Sequence, residues 1–183
     1  MRQIPVKEML FIDELKNTLI FQALSVDELR KLVVVCEHFE YQKGETIVTQ
    51  DSNSRYLYVI LDGSVDVTVR GTGRDNVRVS TLRKGDVFGE ASIFMDVKRT
   101  ANVVAAEDLR LVAVSREHML KLCGEHTKAG LKIFTYVIYS LLKKLSASSR
   151  ELANELESGV TQDDLDKLKE MFPKTLEDML HGK

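Results

Sequence analysis

The sequence predicts an α+β, mainly β, fold in which a run of short strands stands between N-terminal helices and a long C-terminal helix. Three observations predict it. Between residues 39 and 115, Tyr56–Leu61, Val65–Val69, Val77–Leu82 and Leu109–Val114 are short runs of β-branched and aromatic residues, and turn residues separate them. Ahead of this stretch apolar residues recur at helical spacing, and behind it residues 128–157 keep helical periodicity without a break. Many short strands at this spacing imply a sandwich or a rolled barrel.

Taken in order, residues 6–23 form one or two amphipathic helices through Met9, Leu10, Ile12, Leu15, Leu19 and Ile20. Ser25-x-x-Glu28 is a capping box, and it opens a helix that turns Leu29, Leu32, Val33 and Cys36 inward. The strand region is punctuated by Lys43-Gly44, Asp51-Ser52-Asn53-Ser54, Asp62-Gly63, Gly71-Thr72-Gly73 and Lys84-Gly85. Asp62-Gly63 between two apolar runs predicts a hairpin. Residues 116–124 form a short helix and 128–157 a long one, ended by Gly159. Four segments follow: N-terminal helices (1–38), the strand region (39–115), a hinge helix with the long helix (116–158), and an acidic helical tail (159–183).

On the long helix Phe134, Ile138, Leu141, Leu145, Ser148 and Leu152 alternate at spacings of four and three, the seam of a two-stranded coiled coil, so a homodimer through this helix is expected. Ile133 and Val137 form a second row that faces the strands.

Bulk properties narrow the function. Twenty-six basic residues against 28 acidic ones leave no basic excess, so DNA is not expected as a partner. No apolar run approaches the roughly 18 residues of a membrane span, and Met1-Arg2-Gln3-Ile4-Pro5 leads into charges rather than a signal-peptide core. A cytoplasmic protein is expected, with Cys36 and Cys123 as buried, reduced thiols in apolar helical settings. His38, His118, His126 and His181 do not pair at ligand spacing, and no nucleophile signature accompanies them, so neither a metal nor catalysis is expected.

The chemistry concentrates in one stretch, Gly85-Asp86-Val87-Phe88-Gly89-Glu90-Ala91-Ser92, followed by Arg99-Thr100-Ala101-Asn102-Val103. Arginine offers a planar, permanently charged fork that matches a phosphate. A glutamate accepts hydrogen bonds from ribose hydroxyls, and a glycine lets backbone N–H groups approach closely. Ala91-Ser92-Ile93-Phe94 starts a short helix whose N–H groups favour the same anion.

Residues 88–104 resemble the phosphate-binding cassette of cyclic nucleotide-binding domains, as found in cyclic nucleotide-dependent kinases and bacterial cyclic AMP receptor proteins. The resemblance extends upstream through Leu24–Leu29, Lys43–Val48 and Leu57–Val65, and covers roughly residues 20–157. It implies a jelly-roll-like β-roll and a non-enzymatic sensor of cyclic AMP or cyclic GMP that signals to a downstream protein. By the same resemblance Arg99 takes the cyclic phosphate and Glu90 the ribose 2′-hydroxyl, while Phe88, Gly89, Ala91, Ser92, Thr100 and Ala101 complete the cassette at 88–103. Thr100 is typical of members that bind cyclic GMP, although bacterial cyclic AMP receptors place a serine there against the phosphate. Lys143–Glu151 resembles the dimer-helix segment of those receptors, where a hydroxyl pair meets the adenine; Ser148 and Ser149 would supply it here and support cyclic AMP. The base therefore stays open.

Three positions depart from the family pattern: Lys98 stands where proline often precedes the arginine, Gln50-Asp51 lacks a common glycine, and Asn102 replaces a threonine or serine. The related transcription factors carry a helix-turn-helix after the long helix, and the acidic residues after Gly159 do not supply one. A scaffold that keeps the fold without the ligand is the alternative.

Overall fold

The structure is a computed structural model that describes residues 2–3, 8–71, 76–95 and 97–158, with side chains described between residues 11 and 150. Its elements run β1 (Arg2–Gln3), α1 (Glu8–Lys16), α2 (Val26–Val35), β2 (Cys36–Tyr41), β3 (Thr46–Val48), β4 (Tyr56–Asp62), β5 (Ser64–Arg70), β6 (Asn76–Arg83), β7 (Val87–Phe88), α3 (Ala91–Phe94), β8 (Asn102–Ala105), β9 (Leu109–Ser115), α4 (Arg116–Glu125) and α5 (Thr127–Ser158). Gly159, the acidic tail and residues 72–73 of the Gly71–Gly73 turn lie outside the described residues.

Two compact units divide the chain, Met1–Ser140 and Leu141–Lys183. In the first, the strands form two antiparallel sheets: five strands in the order β1-β2-β9-β4-β7, and four in the order β3-β8-β5-β6. The jelly-roll-like β-roll with flanking helices is thus the fold observed.

Patterning explains which strand goes where. Strand β4 reads YLYVILD and is almost wholly buried, because its sheet is covered on both faces. Tyr58 and Ile60 point into the roll with Val65, Leu82, Phe88, Val103, Leu111 and Ala113. Leu57, Val59 and Leu61 point the other way, into a cluster with Phe21, Leu29, Leu32, Met119 and Ile133 from the helices. Strand β5, SVDVTVR, belongs to the sheet with one open face, so its apolar and polar residues alternate. Helix α2 starts at the expected capping box, where Ser25 Oγ accepts from Glu28 N–H and the Glu28 carboxylate accepts from Ser25 N–H. Ile133 and Val137 of α5 are buried as their row implied.

Several expectations need correction. Asp62-Gly63 is not a hairpin. Strand β4 pairs with β7 and β9, whereas β5 pairs with β6 and β8, so this corner carries the chain from one sheet to the other. Gly63 has φ +85°, and a Cβ there would strike the Asp108 carbonyl, which is why the corner takes glycine. Helix α2 stops at Val35, and Cys36 begins a strand that pairs along its whole length with β9. His38 is in that strand, not a helix. Strands β1, β7 and β8 carry no strand signal in the sequence. Each is short, and the motif residues around β7 and β8 mask the alternation. The thiol expectation holds in one respect: both cysteines are free, and burial pushes both thiols above the usual range. Among the described residues no helix is long and apolar enough to cross a membrane, and no cluster is placed to hold a metal.

His38 sits edge-on to Phe11 with ring centroids 3.6 Å apart, and its Nε2 has no hydrogen-bond partner. Burial lowers its pKa from 6.5 to about 4, opposed by the Glu14 carboxylate and reinforced by Arg110. The folded protein therefore resists a proton that the unfolded chain accepts, and stability is lost as pH falls from about 6.5 towards about 4. Comparing urea midpoints at both ends of that window, the wild type should lose about 2 kcal/mol more than His38→Leu, after allowance for the partial exposure of the ring. Equal losses would show that His38 does not titrate in this way.

Candidate functional site

Arg99 lies between α3 and β8 and is only 5 % exposed. Three parts of the first unit converge on it. From the loop before β4, Ser54 Oγ accepts from Arg99 Nε–H at 2.8 Å. From β4, the Tyr56 carbonyl accepts from Nη2–H at 2.8 Å. From the turn after β7 and from α3, the Gly89 carbonyl and Ser92 Oγ accept from Nη1–H at 3.2 and 2.7 Å. Ser92 Oγ–H itself donates to the Gly89 carbonyl at 2.9 Å. All four acceptors are neutral.

The main chain of Arg99 is held as firmly. Arg99 N–H donates to the Ser52 carbonyl at 3.0 Å, and Asp51 N–H donates to the Arg99 carbonyl at 2.8 Å. This loop depends on Asp51 adopting φ +67°, the left-handed region that glycine occupies most readily. Here the missing family glycine has its explanation: aspartate adopts the same geometry, with its carboxylate 3.7 Å from Arg70. Asn102, the other departure in the framework, accepts from Gln50 N–H at 2.9 Å and ties the loop to β8. Lys98 is exposed and makes no described contact with the guanidinium.

The guanidinium carbon stands 5.6 Å from the centroid of the Tyr58 ring. Tyr58 in turn stacks on Phe88 at 4.8 Å. Burial draws the Arg99 pKa below the usual arginine range, and the Tyr58 hydroxyl and Glu90 carboxylate oppose this. Glu90 is 8 % exposed and sits at the entrance to α3 with helical dihedrals.

The structure therefore brings Gly89, Ser92 and Arg99 into direct contact, with Glu90 close enough to act on the guanidinium through its charge. Phe88 belongs to the roll interior, where it supports Tyr58. Ala91 and Thr100 are exposed and Ala101 is half-buried beside them in the chain. Ser148 and Ser149 are exposed on the part of α5 that belongs to the second unit. Sequence reasoning missed Ser54, Tyr56 and Tyr58. Tyr58 was within reach, since strand alternation sends it to the same face as Ile60; Ser54 carried no signal beyond its place in a turn. Glu107 is engaged elsewhere, where its carboxylate accepts from the Ser64 hydroxyl at 2.7 Å.

Gly89 has φ +83°, and a Cβ there would approach Arg99 Nη1 and the Tyr56 carbonyl to 2.5 Å each. Gly89→Ala should therefore lower stability by about 2–4 kcal/mol and detach the guanidinium, read as a drop in melting temperature. A melting temperature equal to wild type would show that the turn has room to spare.

Residues 38–126 match the sequence model of the cyclic nucleotide-binding domain. The cAMP-dependent protein kinase regulatory subunit of Blastocladiella emersonii is 28% identical over 145 residues, covering 78% of this chain and 36% of that protein. The cGMP-dependent protein kinase 2 of Homo sapiens is 30% identical over 105 residues, covering 56% of this chain and 14% of that protein. The chain thus spans about a third or less of the length of the curated relatives it matches. A cyclic nucleotide-binding domain from Methylobacillus flagellatus superposes with a TM-score of 0.69 at 21% identity, covering 87% of this chain and 89% of that one. Residues 38–126 thus carry the sequence pattern of the cyclic nucleotide-binding domain, and the roll is the fold that the Methylobacillus flagellatus domain shares.

Proposed function

We propose that the domain is a non-catalytic sensor of a cyclic nucleotide, cyclic AMP or cyclic GMP. Arg99 pairs with the cyclic phosphate and Glu90 accepts from the ribose 2′-hydroxyl. The backbone of Gly89, Ala91 and Ser92 lines the same site, Thr100 and Ala101 flank it, and Phe88 supports it from within the roll. The observation that carries this reading is the burial of a guanidinium whose four described acceptors are neutral, beside a glycine turn of positive φ. A buried cation so placed gains strongly from an incoming anion. The relatives named for cAMP and cGMP support the ligand class and leave the base open.

In this reading the ligand reorders the 88–100 segment, and the change reaches α5, whose Ile133 and Val137 are packed in the helix-side core of the same unit. The output is a homodimer through α5. Ile138 is 58 % exposed and Leu145 64 %, both on the expected seam. Ser148 and Ser149 would meet the base or specify register. Phe134 lies edge-on to Phe94 of α3 at 5.0 Å, which links the long helix to the middle of the cassette.

One observation favours a second reading, a scaffold that binds no nucleotide: the donors of Arg99 are already largely occupied. Calorimetric titration with both nucleotides separates the two. Micromolar binding is expected for the wild type, weakened about 100-fold, or roughly 3 kcal/mol, in Arg99→Ala and less in Arg99→Lys. Absence of heat and of any thermal shift with either nucleotide would favour the scaffold. For the dimer, sedimentation should give a two-chain species that dissociates in the pair Ile138→Asp and Leu145→Asp. A monomeric wild type would remove the coiled-coil output.

A further inference from the structure

The hydrogen bonds of Arg99 have a consequence for how a ligand enters. A guanidinium carries five N–H groups. Nε–H, both Nη1–H groups and one Nη2–H are engaged, so at most one remains. A two-pronged grip on a phosphate needs two donors from the same side chain. The ligand can gain that grip only if Arg99 first lets go of a partner it already has.

The four partners are not equally replaceable. The Tyr56 carbonyl is fixed in β4, where Tyr56 pairs with Ser115. The Gly89 carbonyl belongs to a turn of positive φ and accepts from Ser92 as well. Ser92 is 2 % exposed and locked between that carbonyl and Nη1. Ser54 differs on each point. It lies outside the strands, it is only half-buried, and its described hydrogen bond is the one to Nε–H. A hydroxyl also carries its own proton and can rotate from accepting to donating.

We propose that Ser54 is a positioning residue that sets the nucleotide affinity from the ligand-free side: its hydroxyl occupies Arg99 Nε–H, and binding exchanges that bond for one to the phosphate. Release of Nε–H gives the anion its second donor, and the Ser54 hydroxyl turns away to solvent. This inference rests on the cyclic-nucleotide reading of Arg99. Its direction differs from that of an ordinary contact residue. Deleting the hydroxyl removes a bond that only the free state must break, so the variant binds more tightly, not less.

The test uses the full chain with Ser54→Ala and Ser54→Thr, titrated calorimetrically with cyclic AMP and cyclic GMP. Ser54→Ala should bind the preferred nucleotide about three- to tenfold more tightly, the range expected of one hydrogen bond. Ser54→Thr, which keeps the hydroxyl, should return to the wild-type value. The melting temperature of nucleotide-free Ser54→Ala should fall, and that of the saturated variant should equal the saturated wild type. In nitrogen-15 spectra of the free protein, the Arg99 Nε–H should exchange slowly with solvent in the wild type and rapidly in Ser54→Ala. Wild-type binding combined with unchanged or weaker binding in Ser54→Ala would overturn the exchange while the cyclic-nucleotide reading stands. Absence of binding in the wild type would overturn both.

Discussion

The first unit depends on a cation that has left water. A guanidinium at 5 % exposure must recover the hydrogen bonds that hydration supplied, and Arg99 does so from three stretches of chain. The loop before β4, the first carbonyl of β4 and the turn leading into α3 are held together by that requirement. Because its four described acceptors are neutral, these hydrogen bonds meet the geometric need without themselves cancelling the charge. The same side chain is therefore both a tie within the fold and a standing attraction for an anion. Tyr58, placed under the guanidinium and braced by Phe88, couples this tie to the roll interior.

Much of the fold was legible in the sequence because local patterning and tertiary burial agree. The capping box at Ser25 and Glu28, the strands around Tyr58, Val67 and Val112, and the inward row of Ile133 and Val137 all follow from periodicity and end signals. The errors lie where a local signal has two tertiary outcomes. An Asp-Gly corner with φ +85° can return a strand on itself or lift it into another sheet, and the residue that decides, Asp108, is far away in sequence. Cys36 reads as helical because it stands three residues after Val33 in an apolar run that fits either period, and only pairing with Val114 makes it a strand.

The site was legible as a set of residue types and not as a geometry. Gly89, Glu90, Ser92 and Arg99 stand out because their chemistry is specific and their spacing is fixed. Their internal engagement was not legible. Ser54 is one of four residues in a polar turn, and nothing in its neighbours distinguishes it from Ser52. The departures from the family pattern are intelligible only in three dimensions. Asp51 keeps a glycine-like dihedral, and Asn102 exchanges a hydroxyl for a carboxamide that reaches the main chain of Gln50.

Strand β9 lies between β2 and β4, and both pair with it along nearly their full length. During synthesis, Tyr56–Asp62, a seven-residue strand apolar in all but its last residue, is made well before its partner. Until Ser115 has been added, β4 has no central neighbour in its sheet and the two hydrophobic clusters it joins cannot close. Pairing of strands that far apart in the sequence is slow compared with helix formation. The nascent chain therefore passes through an interval in which a sticky, extended segment is uncovered, and recognition by cellular holding factors would be concentrated there rather than at the helices.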